Sequence, residues 1–180
     1  MHSNDYRIFY FIDELNKDKI SKLSKKTSVI YRNYKKNYNE NEIKKIQKLC
    51  KSLKLKFYLA NNIKLVLKLN LDGAYVPSFN NSLKYIFLRT KKNIELIGSA
   101  HNFRELFHKK KQGIDTIVLS PIFKNTKKNN MLGVNKFNNI TKFYKFKYVA
   151  LGGIKKKNIK LLKNLNCIGF ASISYINSLF

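Results

Sequence analysis

The sequence predicts a single α/β domain, a compact (β/α)8 barrel of the TIM type whose last helix is short or missing. Three observations carry this expectation. Eight short apolar runs recur along the 180 residues. Lys-rich amphipathic stretches of helical period separate them. Several runs are apolar on both faces, as parallel strands are when helices cover both sides of a sheet. Eight alternations of this kind favour a closed barrel over an open sheet. Such barrels usually need about 200 to 250 residues. Loops must therefore be short here, with the one domain occupying 1–180.

In chain order the runs are YRIFYFID from Tyr6, TSVIYRNY from Thr27, KFYLAN from Lys56, DGAYVPS from Asp72, IELIGSAH from Ile94, TIVLSPIF from Thr116, KYVALGG from Lys147 and CIGFASIS from Cys167. They are strand-length and rich in Val, Ile, Tyr and Phe, whose side chains suit a pleated, buried surface. Between the second and third runs, residues 42–55 place Ile43, Ile46, Leu49 and Leu53 on one helical face with Lys on the other. Residues 63–71, 103–111 and 157–165 read the same way. Asn102 and Asn158 stand where N-cap residues would open the last two helices. Only a few residues follow the eighth run before Phe180, too few for a full closing helix.

The formal charge is +27, with 37 basic against 10 acidic residues. It implies either a polyanionic partner or a general over-use of Lys, Asn and Ile, as an AT-rich coding sequence produces. The second reading is preferred, because Lys is spread along the whole chain and the Arg residues are only Arg7, Arg32, Arg89 and Arg104. Bidentate readers of bases and phosphates favour Arg. The aromatic–Lys run KFYKFKY, at 142–148, resembles a base-stacking surface. It leads into an apolar strand, however, which assigns its aromatics to the core. Cys50 and Cys167 lie far apart in apolar surroundings. They are expected as free buried thiols in a cytoplasmic protein. The short apolar run near Asp5, Arg7 and Asp13 is neither a leader nor a span, and no segment is long enough to cross a bilayer.

Polar and small residues gather where the runs end: Arg32, Asn61, Ser78, Ser99, His101, Ser120, Gly152, Gly153, Ser172 and Ser174. A barrel brings all these ends to one mouth. Gly152-Gly153, with a helix to follow, and the small-residue segment from Gly169 to Ser174 predict a phosphate site after the last two strands, where backbone amides can approach an anion. The polar loop 124–130 belongs to the same end. Asp72 and Asp115 precede strands, so they fall at the opposite end. No carboxylate pair is expected at the mouth, and no metal site is assigned.

Five segments in order resemble the thiamine phosphate synthase/TenI family: DGAYVPS (72–78), IGSAHN (97–102), LSPIF (119–123) with its basic loop and Leu132-Gly133, VALGGI (149–154) with Asn158, and GFASIS (169–174). The resemblance implies a TIM-type barrel and a role in thiamine biosynthesis, coupling a pyrimidine methyl diphosphate to a thiazole phosphate with release of diphosphate. It implies catalytic roles for Arg32, Ser99 and Lys128, and substrate contacts from Asn61, Ser78, His101, Asn125, Gly152, Gly153, Ser172 and Ile173. The partners implied are small phosphorylated molecules, with a homodimer as one way to cover a barrel short of a helix.

The sequence also departs from the family. Where the second strand should offer Gln, Arg and Lys, it reads Ile30, Arg32 and Tyr34, with Lys35 and Lys36 beyond the strand end. The family's two Mg²⁺-binding Asp positions fall on Asn61 and Asn80, so no metal cofactor is assigned. Asn125 and Lys127 replace loop threonines, while Lys128 matches the family lysine. Pro121 stands at the histidine of TenI-type tautomerases. Two readings therefore stay open beside a less favoured nucleic-acid-binding module. One is a divergent synthase. The other is a phosphate-ligand-binding relative without the Mg²⁺–diphosphate site.

Overall fold

The computed structural model describes residues 6–34, 37–90, 94–124 and 131–180. Eight strands close a parallel barrel in sequence order: β1 (Arg7–Ile12), β2 (Thr27–Tyr31), β3 (Lys56–Ala60), β4 (Gly73–Val76), β5 (Glu95–Ala100), β6 (Thr116–Leu119), β7 (Lys147–Leu151) and β8 (Gly169–Ala171). Each lies within one of the eight apolar runs. Alternate residues point inward, and Phe9, Phe11, Ile30, Tyr58, Ala60, Tyr75, Ile97, Val118, Val149 and Ala171 fill the bore. Their neighbours, such as Tyr10, Val29, Tyr31, Leu59 and Leu119, pack outward against the helical layer. This two-sided burial is why the strands read as continuous apolar runs.

A polar network ties the strands at the N-terminal end of the bore. Arg7 pairs with Glu95 and donates to the Tyr58 hydroxyl at 3.0 Å, and that hydroxyl donates to Glu95 at 2.7 Å. Lys56 adds a looser ion pair at 3.7 Å. Burial alone would raise the Glu95 pKa, but the hydrogen bonds from Arg7 and Tyr58 prevail and hold it below the ordinary glutamate value. The predicted placement of Asp72 and Asp115 at this end holds. Asp72 accepts the Phe57 amide at 2.9 Å, and Asp115 lines an open cleft with Glu95 and Lys147.

The outer layer comprises α1 (Lys17–Ser21), α2 (Glu40–Ser52), α3 (Ile63–Lys68), α4 (Phe103–Lys111), α5 (Gly133–Phe143), α6 (Ser174–Asn177) and 3-10 turns at Leu83–Thr90 and Ile159–Asn164. Asparagines open four of the helices. Asn16, Asn39, Asn62 and Asn102 each accept a first-turn amide. The helices expected over 42–55 and 63–71 stop earlier. Lys54 and Asn70 turn left-handed (φ 56° and 48°), and Leu55 and Leu71 donate back to Cys50 and Val66, closing each end as a Schellman turn. The stretch expected as a helix over 157–165 is the 3-10 turn Ile159–Asn164, and Asn158 makes no side-chain cap there. Helices α1 and α5 lie outside the four helical stretches expected from the sequence, although Val134, Phe137 and Ile140 mark the inner face of α5. Helix α6, after β8, is a single turn.

Both cysteines are buried and unpaired. Among the described residues, no helix is long and apolar enough to cross a membrane. In KFYKFKY, Tyr148 is buried and Tyr144 and Phe146 pack on the core, while Phe143 stays exposed against Phe103. Every described lysine but one is exposed, and the helices α1 to α5 all carry lysine.

Candidate functional site at the barrel mouth

Arg32 directly follows β2 and is anchored by its amide donating to Ile12 at 2.7 Å. Its guanidinium stacks 4.4 Å from the Phe11 ring centroid and 6.0 Å from that of Tyr34. Phe11 in turn meets Tyr75 edge-on at 5.3 Å. Burial raises the Tyr75 pKa, while neighbouring Ser99 and Arg32 oppose the shift. Arg32, Ser99 and Tyr75 therefore share the upper bore. Among the described residues Arg32 forms no ion pair. It is a positive group oriented by aromatic stacking and available to an anion. Tyr34 instead leans outward onto Phe79, 5.3 Å away.

One expectation is corrected here. Asp13 and Glu14 lie just past the end of β1, at the mouth, where they line a cleft of about 220 Å³ with Arg32, Ile173, Lys19 and Asn177. Their position after an apolar run could have revealed them, because any residue just past a strand end faces the mouth. Among the described residues no group of three or more His, Cys, Asp or Glu could hold a metal ion.

On the neighbouring strand, Asn61 directly follows β3 in the left-handed region (φ 57°), which Asn tolerates better than most residues. Its side-chain oxygen accepts from the Asn80 amide. The Asn80 side-chain oxygen accepts from Ser82 N–H at 2.8 Å, and its own N–H donates to Pro77 at 3.1 Å. Both amide oxygens are thus engaged within the protein, and neither side chain carries charge. This donor set does not fit Mg²⁺, which favours carboxylates and free oxygen ligands. Ser78 lies half-buried in the same loop. Beneath the loop, Lys109 is wholly buried, and burial pushes its ammonium down to about 8, opposed by Glu105.

His101 follows β5. Its backbone N–H donates to the Glu105 carboxylate at 2.7 Å, and its ring Nδ1 lies 2.9 Å from the Ser120 carbonyl and 3.0 Å from the Ser120 hydroxyl. A bond to the carbonyl requires hydrogen on Nδ1, which leaves Nε2 as the acceptor of the neutral ring. The histidine ring thus lies beside Ser120, next in sequence to Pro121.

The last two strands build the other rim. Leu151 pairs with Ala171, so Gly152 and Ser172 follow at adjacent strand ends. Gly152 and Gly153 adopt φ of 99° and 69°. A Cβ on Gly153 would come within 2.5 Å of the Phe123 carbonyl oxygen and 2.6 Å of that of Lys124, so only glycine fits under the loop after β6. Asn158 latches this turn, donating to Gly153 at 2.8 Å and accepting from Lys155 at 2.8 Å. No described group accepts from the amides of Gly152 and Gly153. Lys155, Lys156 and Lys157 lie exposed just beyond. Ser172 is buried and accepts from Tyr175 N–H at 3.1 Å, while Ile173 is exposed. Asn125, Lys127 and Lys128, like Lys35 and Lys36, lie outside the described residues.

The arrangement defines a parallel βα barrel whose mouth carries a stacked arginine after β2, the carboxylates of Asp13 and Glu14 after β1, and two glycine amides after β7 from which no described group accepts. Residues 18–176 match the thiamine monophosphate synthase family (TMP-TENI), and the chain belongs to that family. It is 30% identical over 139 residues to a thiamine-phosphate synthase of Mannheimia succiniciproducens, covering 74% of this chain and 63% of that one. It is 32% identical over 143 residues to a thiamine-phosphate synthase of Prochlorococcus marinus subsp. pastoris, covering 76% of this chain and 40% of the relative. The chain thus spans less than two thirds of the length of these curated relatives. Among solved structures, a thiamine phosphate pyrophosphorylase from Pyrococcus furiosus superposes with a TM-score of 0.75 at 20% identity, covering 95% of this chain and 87% of the other. That likeness establishes the shared fold.

Proposed function

We propose that this chain binds a thiazole phosphate at the rim formed by Gly152-Gly153 and Ser172, and couples it to a pyrimidine methyl diphosphate to form thiamine phosphate. The observation that carries this is that a stacked Arg32, without an ion pair among the described residues, and the Gly152-Gly153 amides, from which no described group accepts, stand at the same end of a family barrel. Coupling breaks the bond between the pyrimidine methylene carbon and a diphosphate oxygen. The electron pair leaves with diphosphate, and the lone pair of the thiazole nitrogen closes the new carbon–nitrogen bond. No proton moves. The protein's task is to stabilise negative charge on the departing group. Arg32 serves it on this reading, with Lys128 from the loop after β6 as a second cation. Ser99 and His101 face the reacting rings, Asn61, Ser78 and Asn125 contact the diphosphate end, and Ile173 borders the thiazole.

A second reading has its own observation. The hydrogen bond between Asn61 and Asn80 engages the positions that would grip a metal–diphosphate complex. That favours a relative that binds the thiazole phosphate without efficient coupling. A coupling assay with both substrates, with and without Mg²⁺, run beside calorimetry with thiazole phosphate, separates the two. Slow coupling little changed by Mg²⁺ is the expected result. Binding without product selects the second reading, and absence of thiazole phosphate binding defeats both. Exposed lysine on each of the helices α1 to α5, with none of them singled out, argues against a dedicated nucleic-acid surface. We assign the protein to the cytoplasm. We read a homodimer as the assembly that would cover the outer face of β8, beside the single-turn α6; sedimentation tests it.

A further inference from the structure

Lys109 is the one buried lysine among the described residues of a chain whose other described lysines are all exposed. It leaves α4 and runs under β5 toward the loop after β4. Gly98 makes the passage, since a Cβ there would stand 3.0 Å from Lys109 Cδ. At its end the ammonium donates to the main-chain carbonyls of Pro77 at 2.7 Å and Asn80 at 2.8 Å, and to the Gln112 side chain at 2.9 Å. All three ammonium hydrogens are used. Gln112, one turn on, is also buried and donates to the carbonyls of Asn80 and Ser82, both at 2.9 Å. Three carbonyls of one mouth loop are therefore gripped from below by a single cation–amide pair.

The grip converges on Asn80. Its carbonyl accepts from both Lys109 and Gln112, its N–H is tied to Pro77, and its side-chain oxygen to Ser82. The remaining side-chain donor bonds Asn61 at the end of the neighbouring strand β3. Core packing alone would be served by Met or Leu at position 109. Burying an ammonium is costly unless its hydrogen bonds are made, and here those bonds converge on the loop that aims the Asn80 amide.

We propose that Lys109 and Gln112 are positioning residues of the mouth. By holding the 77–82 loop from below they set the orientation of the Asn80 amide, and through it that of Asn61, without touching substrate themselves. The proposal rests on the reading that the Asn61–Asn80 wall receives the diphosphate end of a substrate.

Lys109→Met and Gln112→Met test it, the second as the milder lesion should the first fail to fold. Two readouts are taken on the purified protein. The first is amide hydrogen exchange, comparing residues 77–82 with the barrel strands. At least tenfold faster exchange in the loop, with strand protection unchanged, is expected. Equal change in loop and strands overturns the proposal, because a purely structural role loosens the whole barrel. The second is affinity for inorganic diphosphate as probe, measured for Gln112→Met, Asn80→Ala and their combination. Each single change should weaken binding severalfold, and the double change no further than Asn80→Ala alone, since Gln112 acts through Asn80. Fully additive losses overturn it. If the unmodified protein does not bind diphosphate, the functional reading of this wall fails, and the exchange experiment still decides whether the pair holds the loop.

Discussion

Gly133 and Gly153 form a matched pair for asking what a glycine does at the mouth. Their φ values, 66° and 69°, are nearly equal. Their surroundings differ: no described atom lies within 4 Å of a Cβ at Gly133, whereas one at Gly153 meets two backbone oxygens at 2.5 and 2.6 Å. In Gly133→Ala only the backbone conformation is penalised, at about 1–2 kcal/mol. The lost freedom of the unfolded chain offsets about 0.4–1 kcal/mol of that. The net cost is near 1 kcal/mol, or roughly 2–4 °C in Tm for a domain of this size. Gly153→Ala carries the same penalty plus a contact about 0.9 Å short of ordinary separation. The loop after β6 must retreat, straining the bonds from Ile122 to Leu151 and from Phe123 to Gly152. Each such bond is worth about 0.5–1.5 kcal/mol. The total is about 2–4 kcal/mol, or roughly 5–15 °C. Differential scanning calorimetry on the two variants measures the difference, and titration with thiazole phosphate should weaken for Gly153→Ala alone. Equal Tm shifts in the two proteins would refute the reasoning, because they would mean that the loop yields freely.

Other outcomes follow from the same geometry. Asn61→Asp combined with Asn80→Asp supplies two carboxylates where two amides now bond each other, and should raise Mg²⁺ affinity measurably by calorimetry. No gain would show that these side chains do not face a metal position. Glu95 has a folded pKa below its unfolded value, so the stability it contributes is present above pH about 4.5 and is lost as pH falls through the folded value. Glu95→Gln should therefore lower Tm near neutrality and flatten its decline on acidification. A Tm–pH curve parallel to that of the unmodified protein counts against the network at the base of the bore. Binding to random-sequence DNA should be weak and fall steeply as salt rises. Tight, salt-resistant, sequence-dependent binding in a fluorescence titration would reveal a dedicated nucleic-acid surface instead.

Much of this protein was legible in its sequence, and the reason is local. Eight two-sided apolar runs need only their own composition to be recognised, and closing them in order brings Arg32, Asn61, Ser99, Gly152 and Ser172 to one mouth without further information. What escaped depends on partners distant in the chain. Residues 108–112 read HKKKQ, and nothing in that string marks which lysine turns inward. The phase of α4 and the groove at Gly98 select Lys109. Asn158 looked like a helix cap, yet the tight glycine turn drew its side chain back to Gly153. Asn61 and Asn80 were readable as neutral replacements for acids, but not as partners of each other. Sequence alone thus determined the strand pattern, the fold and which residues reach the mouth, because periodicity and connectivity suffice for those. The tertiary structure decided which polar groups bond one another there, because hydrogen bonds act over about 3 Å, and only the packed barrel brings groups from β3, the 77–82 loop and α4 within that reach.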